Sequence, residues 1–138
     1  MAAVDDTLIP QRPAPAQPRW MTITGWILTV LVVLMLAFGF VFSLLKPEQM
    51  NAGLKQQEWP LDVAPYLLAL EVICALLYII PKTSILGAIV LTGYFGGAIA
   101  THLRQHDPIL IVPLIVAIIV WLGIYLREPR LRQIVFGR

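Results

Sequence analysis

Apolar residues fall along this chain in four long blocks, and the stretches between them hold nearly all its charge. The first block runs from about Ile23 to Leu45 with no Asp, Glu, Lys or Arg. As a helix rising 1.5 Å per residue it exceeds the roughly 30 Å of a bilayer's hydrocarbon core. The other blocks cover about residues 63–80, 85–103 and 109–126. Because lipid offers no partner to an exposed backbone group, such blocks predict an all-α, integral membrane four-helix bundle.

Prolines and polar residues set the joints. Between the first two spans, Pro47, Glu48 and Gln49 can open a short interfacial helix running to Glu58, which Trp59 and Pro60 would end. Pro65 falls in the first turn of the second span, where its missing amide proton costs nothing, and Pro81 stops that helix. Only Pro81, Lys82, Thr83 and Ser84 separate the second span from the third. The two spans must therefore be antiparallel neighbours, with Thr83 or Ser84 as the cap of the new helix, and this hairpin is the firmest tertiary contact legible. Asp107 followed by Pro108 is a capping pair for the fourth span, and Pro113 is a candidate bend. Gly93 with Gly97 makes a small-xxx-small pair on the third span, with Gly96 beside it, and predicts close helix packing there.

Composition agrees with a lipid environment. Hydrophobic residues make up 59% of the chain against 13% charged, with mean hydropathy +0.81, which lies outside the soluble range. Residues 1–22 lack an apolar period and carry Pro10, Pro13, Pro15 and Pro18, so they read as a disordered tail with no signal-peptide core. Charge then sets the orientation. Arg12, Arg19, Lys82, Arg127, Arg130, Arg132 and Arg138 fall on one side of the membrane, and only Lys46, Lys55 and Arg104 on the other. The positive-inside rule places both termini in the cytoplasm, with residues 127–138 as a basic cytoplasmic segment. Leu131, Ile134, Val135 and Phe136 among those arginines suit the anionic inner leaflet, and an ordinary topology anchor is preferred over a dedicated lipid-binding device as their explanation. A net charge of +2 gives no reason to expect nucleic acid, and the single cysteine, Cys74, excludes an internal disulfide or a CxxC pair.

Chemistry concentrates in the second and third spans. Glu71 is the one carboxylate well inside a span, about 12 Å from that helix's outer end. It must face protein or water, or be neutral, and Ala64, Leu68, Cys74, Ala75 and Tyr78 share its side of the helix. A proton-handling or ligand-holding role competes with a single interhelical hydrogen bond, and the Tyr94 hydroxyl is the first partner to consider. Thr101, His102, Arg104, His106 and Asp107 form the densest polar cluster, near the outer end of the third span. His102 and His106 have the spacing of a helical ligand pair, but no third ligand accompanies them and no metal is expected.

The run from Glu71 to Arg104 resembles the DoxX-like family of small four-span membrane proteins. The resemblance rests on Glu71 itself, Pro81-Lys82-Thr83, Leu86-Gly87-Ala88, Gly93-Tyr94-Phe95-Gly96-Gly97-Ala98 and Thr101-His102-Leu103-Arg104. Ser43-Leu44-Leu45-Lys46 and Trp59-Pro60 extend it upstream, so that it covers about Gly25 to Leu126. It implies Lys46, Glu71, Thr101 and His102 as the positions to examine, and some relatives are named as subunits of quinone-linked oxidoreductases. This chain supplies no redox centre, so electrons would have to come from a quinone or a partner.

The expected function is that of an accessory membrane subunit of the bacterial inner membrane, with a small apolar pocket lined by Glu71, Tyr94, Thr101 and His102 and with Lys46 at its rim. A quinone head or another lipid-like molecule suits such a pocket. The alternative is a scaffold or assembly factor, without catalysis, docking another membrane protein or a second copy through the glycine face of the third span. Transport has less support, since no inverted repeat is apparent.

Overall fold

The computed structural model describes residues 17–136; residues 1–16, most of the expected disordered tail, lie outside the described residues. The helices are α1 (Arg19–Leu45), α2 (Pro47–Gln56), α3 (Ala64–Ile79), α4 (Ser84–Arg104), α5 (Ile111–Arg127) and α6 (Pro129–Phe136). Short 3₁₀ turns, Leu61–Val63 and Pro108–Leu110, lead into α3 and α5. With those turns included, α1, α3, α4 and α5 are each long and apolar enough to cross a membrane. Among the described residues there is no strand.

Helix ends follow the prolines. Pro18, at φ −59° and ψ 132°, hands over to α1 at Arg19, so the helix begins four residues before the apolar block and takes in part of the expected tail. Arg19 and Trp20 are at home in a headgroup layer, so polarity there does not end the helix. Ile80 is extended, with ψ 120°, as a residue before proline prefers, and α3 ends there. Thr83 stands at the N-cap of α4, as expected, but neither its hydroxyl nor that of Ser84 bonds to the first amides of the helix. Their hydroxyls donate backwards, Thr83 to the Leu77 carbonyl in the last turn of α3 at 2.9 Å and Ser84 to the Pro81 carbonyl in the connecting turn at 3.0 Å. Pro113 falls in the first turn of α5, where proline needs no bend.

The four long helices form a ring in which α1 packs on α3 and α5, and α4 packs on the same two. Each contributes one buried stripe at helical spacing: Gly25, Thr29, Val32 and Leu36 on α1; Glu71, Cys74 and Tyr78 on α3; Gly87, Ala88, Leu91 and Phe95 on α4; Val116, Val120, Gly123 and Ile124 on α5. The outward faces are apolar too, with Leu34 62% and Phe38 72% exposed, which leaves them to lipid.

Close approach is made at glycines other than those expected. A Cβ on Gly87 would lie 2.4 Å from the Tyr78 nitrogen and 2.6 Å from the Leu77 carbonyl carbon, so α3 and α4 meet backbone to backbone there. A Cβ on Gly25 would lie 2.7 Å from the Arg127 nitrogen and 2.9 Å from the Gly123 oxygen, which brings the first and last membrane-length helices equally close. Gly93, Gly96 and Gly97, by contrast, have nothing within 4 Å of such an atom. Their side of α4 faces outward, so among the described residues they do not pack one helix on another. The most extensive helix pair is α1 with α5, exceeding the α3–α4 hairpin. Both ends of the bundle's path, Arg19 and Arg127, therefore lie at one end of the ring, and α2 covers the other.

Candidate functional site

Two features place Glu71. It belongs to the buried stripe of α3, and opposite it on α1 stands Gly39, whose missing side chain leaves room: a Cβ there would lie 3.1 Å from Glu71 Oε1. Between the two helices is a cavity of about 140 Å³ lined by Val33, Leu36, Ala37 and Phe40 of α1 and by Glu71, Val72, Ala75 and Leu76 of α3. Every lining side chain but Glu71 is apolar. The carboxyl forms no hydrogen bond among the described residues, although the residue is only 9% exposed. An ionised carboxylate at this depth, unpaired, is costly, and such a group is the mark of a site in a membrane protein.

The close contact of Gly87 with Tyr78 fixes the register of α3 against α4. Counting equally far along both helices brings Glu71 level with Tyr94. The Tyr94 hydroxyl nonetheless makes no hydrogen bond to Glu71. Its ring, partly buried, stands edge-on to Phe95 with centroids 5.4 Å apart. The same register sets His102 opposite Val63, about 12 Å along the axis from Glu71.

Thr101, His102 and Lys46 are accordingly not part of the Glu71 cavity. Thr101 is buried and donates its hydroxyl to the Gly97 carbonyl of its own helix at 2.9 Å. It lines a separate, open groove of about 550 Å³ with Glu58, Trp59, Pro60, Gly97, Ala100 and Arg104. Arg104 closes that groove's outer side by donating to the Gln57 carbonyl at 2.6 Å, and its 3.7 Å approach to Glu58 is an exposed pair that contributes little. Lys46 is exposed at the joint of α1 and α2.

His102 is engaged locally. Its Nδ1 stands 3.0 Å from Asp107 Oδ2, while the other carboxylate oxygen accepts the Ile109 amide at 3.0 Å. His106, at φ 53°, has already left the helix, so the two histidines do not form a ligand pair. Asp107 thus both caps the turn into α5 and fixes the histidine. Above all the Ile109 amide holds its carboxyl below the usual aspartate range; burial opposes this, and His102 adds to the lowering. A depressed pKa means that the stabilisation is present above the unfolded-state pKa and is lost as pH falls through the lower folded value. Asp107→Ala should therefore lower the melting temperature at neutral pH, and the gap from the parent protein should shrink on acidification. Thermal unfolding in detergent at several pH values checks this.

Sequence reasoning did not find the polar cluster at the opposite end of the bundle. Arg127, read as part of a basic tail, is only 5% exposed. Its guanidinium lies 4.7 Å from the Trp26 ring centroid and 5.0 Å from that of Tyr78, and it donates to the Tyr78 carbonyl. The Tyr78 hydroxyl in turn donates to the Val120 carbonyl at 2.9 Å, passing over Gly123. Arg127 extends the buried series Val116, Val120 and Gly123 by one helical step, and that periodicity was the available signal.

The sequence model of the DoxX-like family matches residues 27–123, a stretch that includes Glu71, its cavity and the close contact of Gly87 with Tyr78 but stops short of Gly25 and Arg127. No curated protein and no solved structure matches the chain.

Proposed function

The chain belongs to the DoxX-like family and is an integral multi-pass membrane protein, and from that premise we propose that it binds the ring of a lipid-soluble molecule, a quinone head being the chemistry that fits, beside Glu71. The observation that carries this reading is an unpaired buried carboxyl in an otherwise apolar cavity of about 140 Å³. Dry apolar cavities of about 150 Å³ take up a single aromatic ring. Protonated, the carboxyl can donate to a ring carbonyl and accept from a hydroxyl, which matches the two redox states of a quinone. The isoprenoid tail would leave between α1 and α3 into lipid. Electrons would be supplied by a partner, so the role is that of an accessory subunit, with the termini in the cytoplasm of a bacterial inner membrane.

Glu71→Leu should weaken retention of a short-chain ubiquinone by about tenfold, the value of one good hydrogen bond. Ala75→Leu, which fills the cavity and keeps the carboxyl, should do the same. Quantifying quinone bound to protein purified in detergent tests both. Equal retention by all three proteins, or none by any, overturns the reading.

The open face of Gly93, Gly96 and Gly97 supports a second role, docking of another helix, because among the described residues no other helix packs against it. Gly93→Leu with Gly97→Leu should then abolish association with a partner or a second copy while leaving the fold intact.

A further inference from the structure

A second apolar recess lies at the terminal end of the bundle, on its outer surface, where α6 folds back against α5. It is an open groove of about 660 Å³, with Ala117, Ile118, Trp121, Leu122 and Tyr125 on one wall and Leu131 and Val135 on the other. Leu131 is buried and anchors α6, whereas Ile134 is 74% and Val135 58% exposed, so the apolar side of α6 continues outward from the groove. The groove's mouth carries a charge. The Arg132 guanidinium stands 5.8 Å from the ring centroid of Tyr125, a groove residue, and among the described residues it also makes a weak contact with Met21 Sδ at 3.6 Å.

The two neighbouring arginines are committed elsewhere. Arg130 is bound to the Glu128 carboxylate and to the Pro81 carbonyl, and Arg127 is enclosed between Trp26 and Tyr78. Among the described residues Arg132 forms no ion pair with a carboxylate. A cation with no ion pair among the described residues, beside an open apolar groove at the depth where a span meets its headgroup layer, is complementary to one occupant. We propose that the α5–α6 groove binds an anionic phospholipid of the surrounding membrane, with an acyl chain along Trp121, Leu122 and Val135 and the headgroup phosphate on Arg132. A zwitterionic lipid could fill the same groove, but its ammonium would offset the attraction to Arg132, so the site selects by headgroup charge. The site is separate from Glu71 and does not depend on quinone binding.

Trp121 reports on the occupant directly. In a variant with Trp20, Trp26 and Trp59 changed to Phe, reconstituted in phosphatidylcholine vesicles, dibrominated phosphatidylglycerol should quench Trp121 fluorescence at about fivefold lower mole fraction than dibrominated phosphatidylcholine, the effect of about one basic residue near a surface. Arg132→Gln should remove that preference and Arg132→Lys should keep it. Lys55→Gln, at the other end of the bundle, should leave it unchanged. Equal quenching by the two brominated lipids in the parent protein, or a preference that survives Arg132→Gln, overturns the proposal. Far-ultraviolet dichroism of each variant shows that the helices are present, so a loss of preference in Arg132→Gln with helicity retained reports binding and not unfolding.

Discussion

Gly87→Ala is expected to unfold or aggregate the protein under detergent conditions in which the parent is monodisperse. The added methyl would sit 2.4 Å from the Tyr78 nitrogen and 2.5 Å from its Cα, and both are backbone atoms that cannot rotate aside. Relief requires α3 and α4 to separate, and with them the contact that sets Glu71 level with Tyr94. Overpacking of a well-filled core costs about 1–3 kcal/mol, and more where backbone must shift. In lipid no hydrophobic term between helices compensates, because the tails are as apolar as the side chains. Gly93→Ala is the matched control: the same change on the same helix, with nothing within 4 Å, should leave the melting temperature unchanged. Size-exclusion profiles and thermal melts of the two variants, measured together, decide the matter.

Arg127→Ala should destabilise the bundle by about 2–4 kcal/mol. The side chain makes two stacked ring contacts, each of about 1–2 kcal/mol when desolvated, and satisfies the Tyr78 carbonyl at the end of α3. Part of this is offset, since its Nε is buried without a hydrogen-bond partner. Arg127→Lys should not restore stability. An ammonium lacks the flat face that both rings contact and the fork that reaches the carbonyl. A double-mutant cycle with Trp26→Ala isolates one ring contact, and a coupling of about 1 kcal/mol is expected. Chemical unfolding in mixed micelles supplies the measurement. A loss below about 0.5 kcal/mol would show that the guanidinium merely occupies space there.

The contrast between these two positions shows what was legible in the sequence. The four spans could be read because each is a run of apolar residues bounded by proline or charge, a signal carried by the local chain alone. Glu71 stood out for the same reason, as a carboxyl where lipid forbids one. Its surroundings did not, because they depend on the pairing of α1 with α3. Those helices are joined through α2 and not by a tight turn, so no loop length fixes their register and Gly39 could not be matched to Glu71. The glycines of α4 misled for a related reason: a small-xxx-small pair marks a face suited to close packing, but only the neighbouring helices decide which face is used. Arg127 was hidden by its place beside other arginines, although its position two turns beyond Val120 and one beyond Gly123 already put it on the buried stripe. The recesses themselves, the α1–α3 cavity and the α5–α6 groove, are products of packing and leave no mark on any single segment.

The pairing of α1 with α5 also constrains the order in which the bundle can be assembled. The hairpin of α3 and α4 can enter the bilayer as a unit, since its contacts come from adjacent sequence. Of the described helices α1 is made first, and its flank of Gly25, Trp26 and Thr29 does not meet Gly123 and Arg127 until α5 has been made and has crossed. During that interval α1 stands in the membrane with its glycine notch open to lipid or to an insertion chaperone. Closure of α1 against α5 thus has to wait for α5 to enter the bilayer, and Arg127, which packs on Trp26 in the closed ring, is the final residue of that helix.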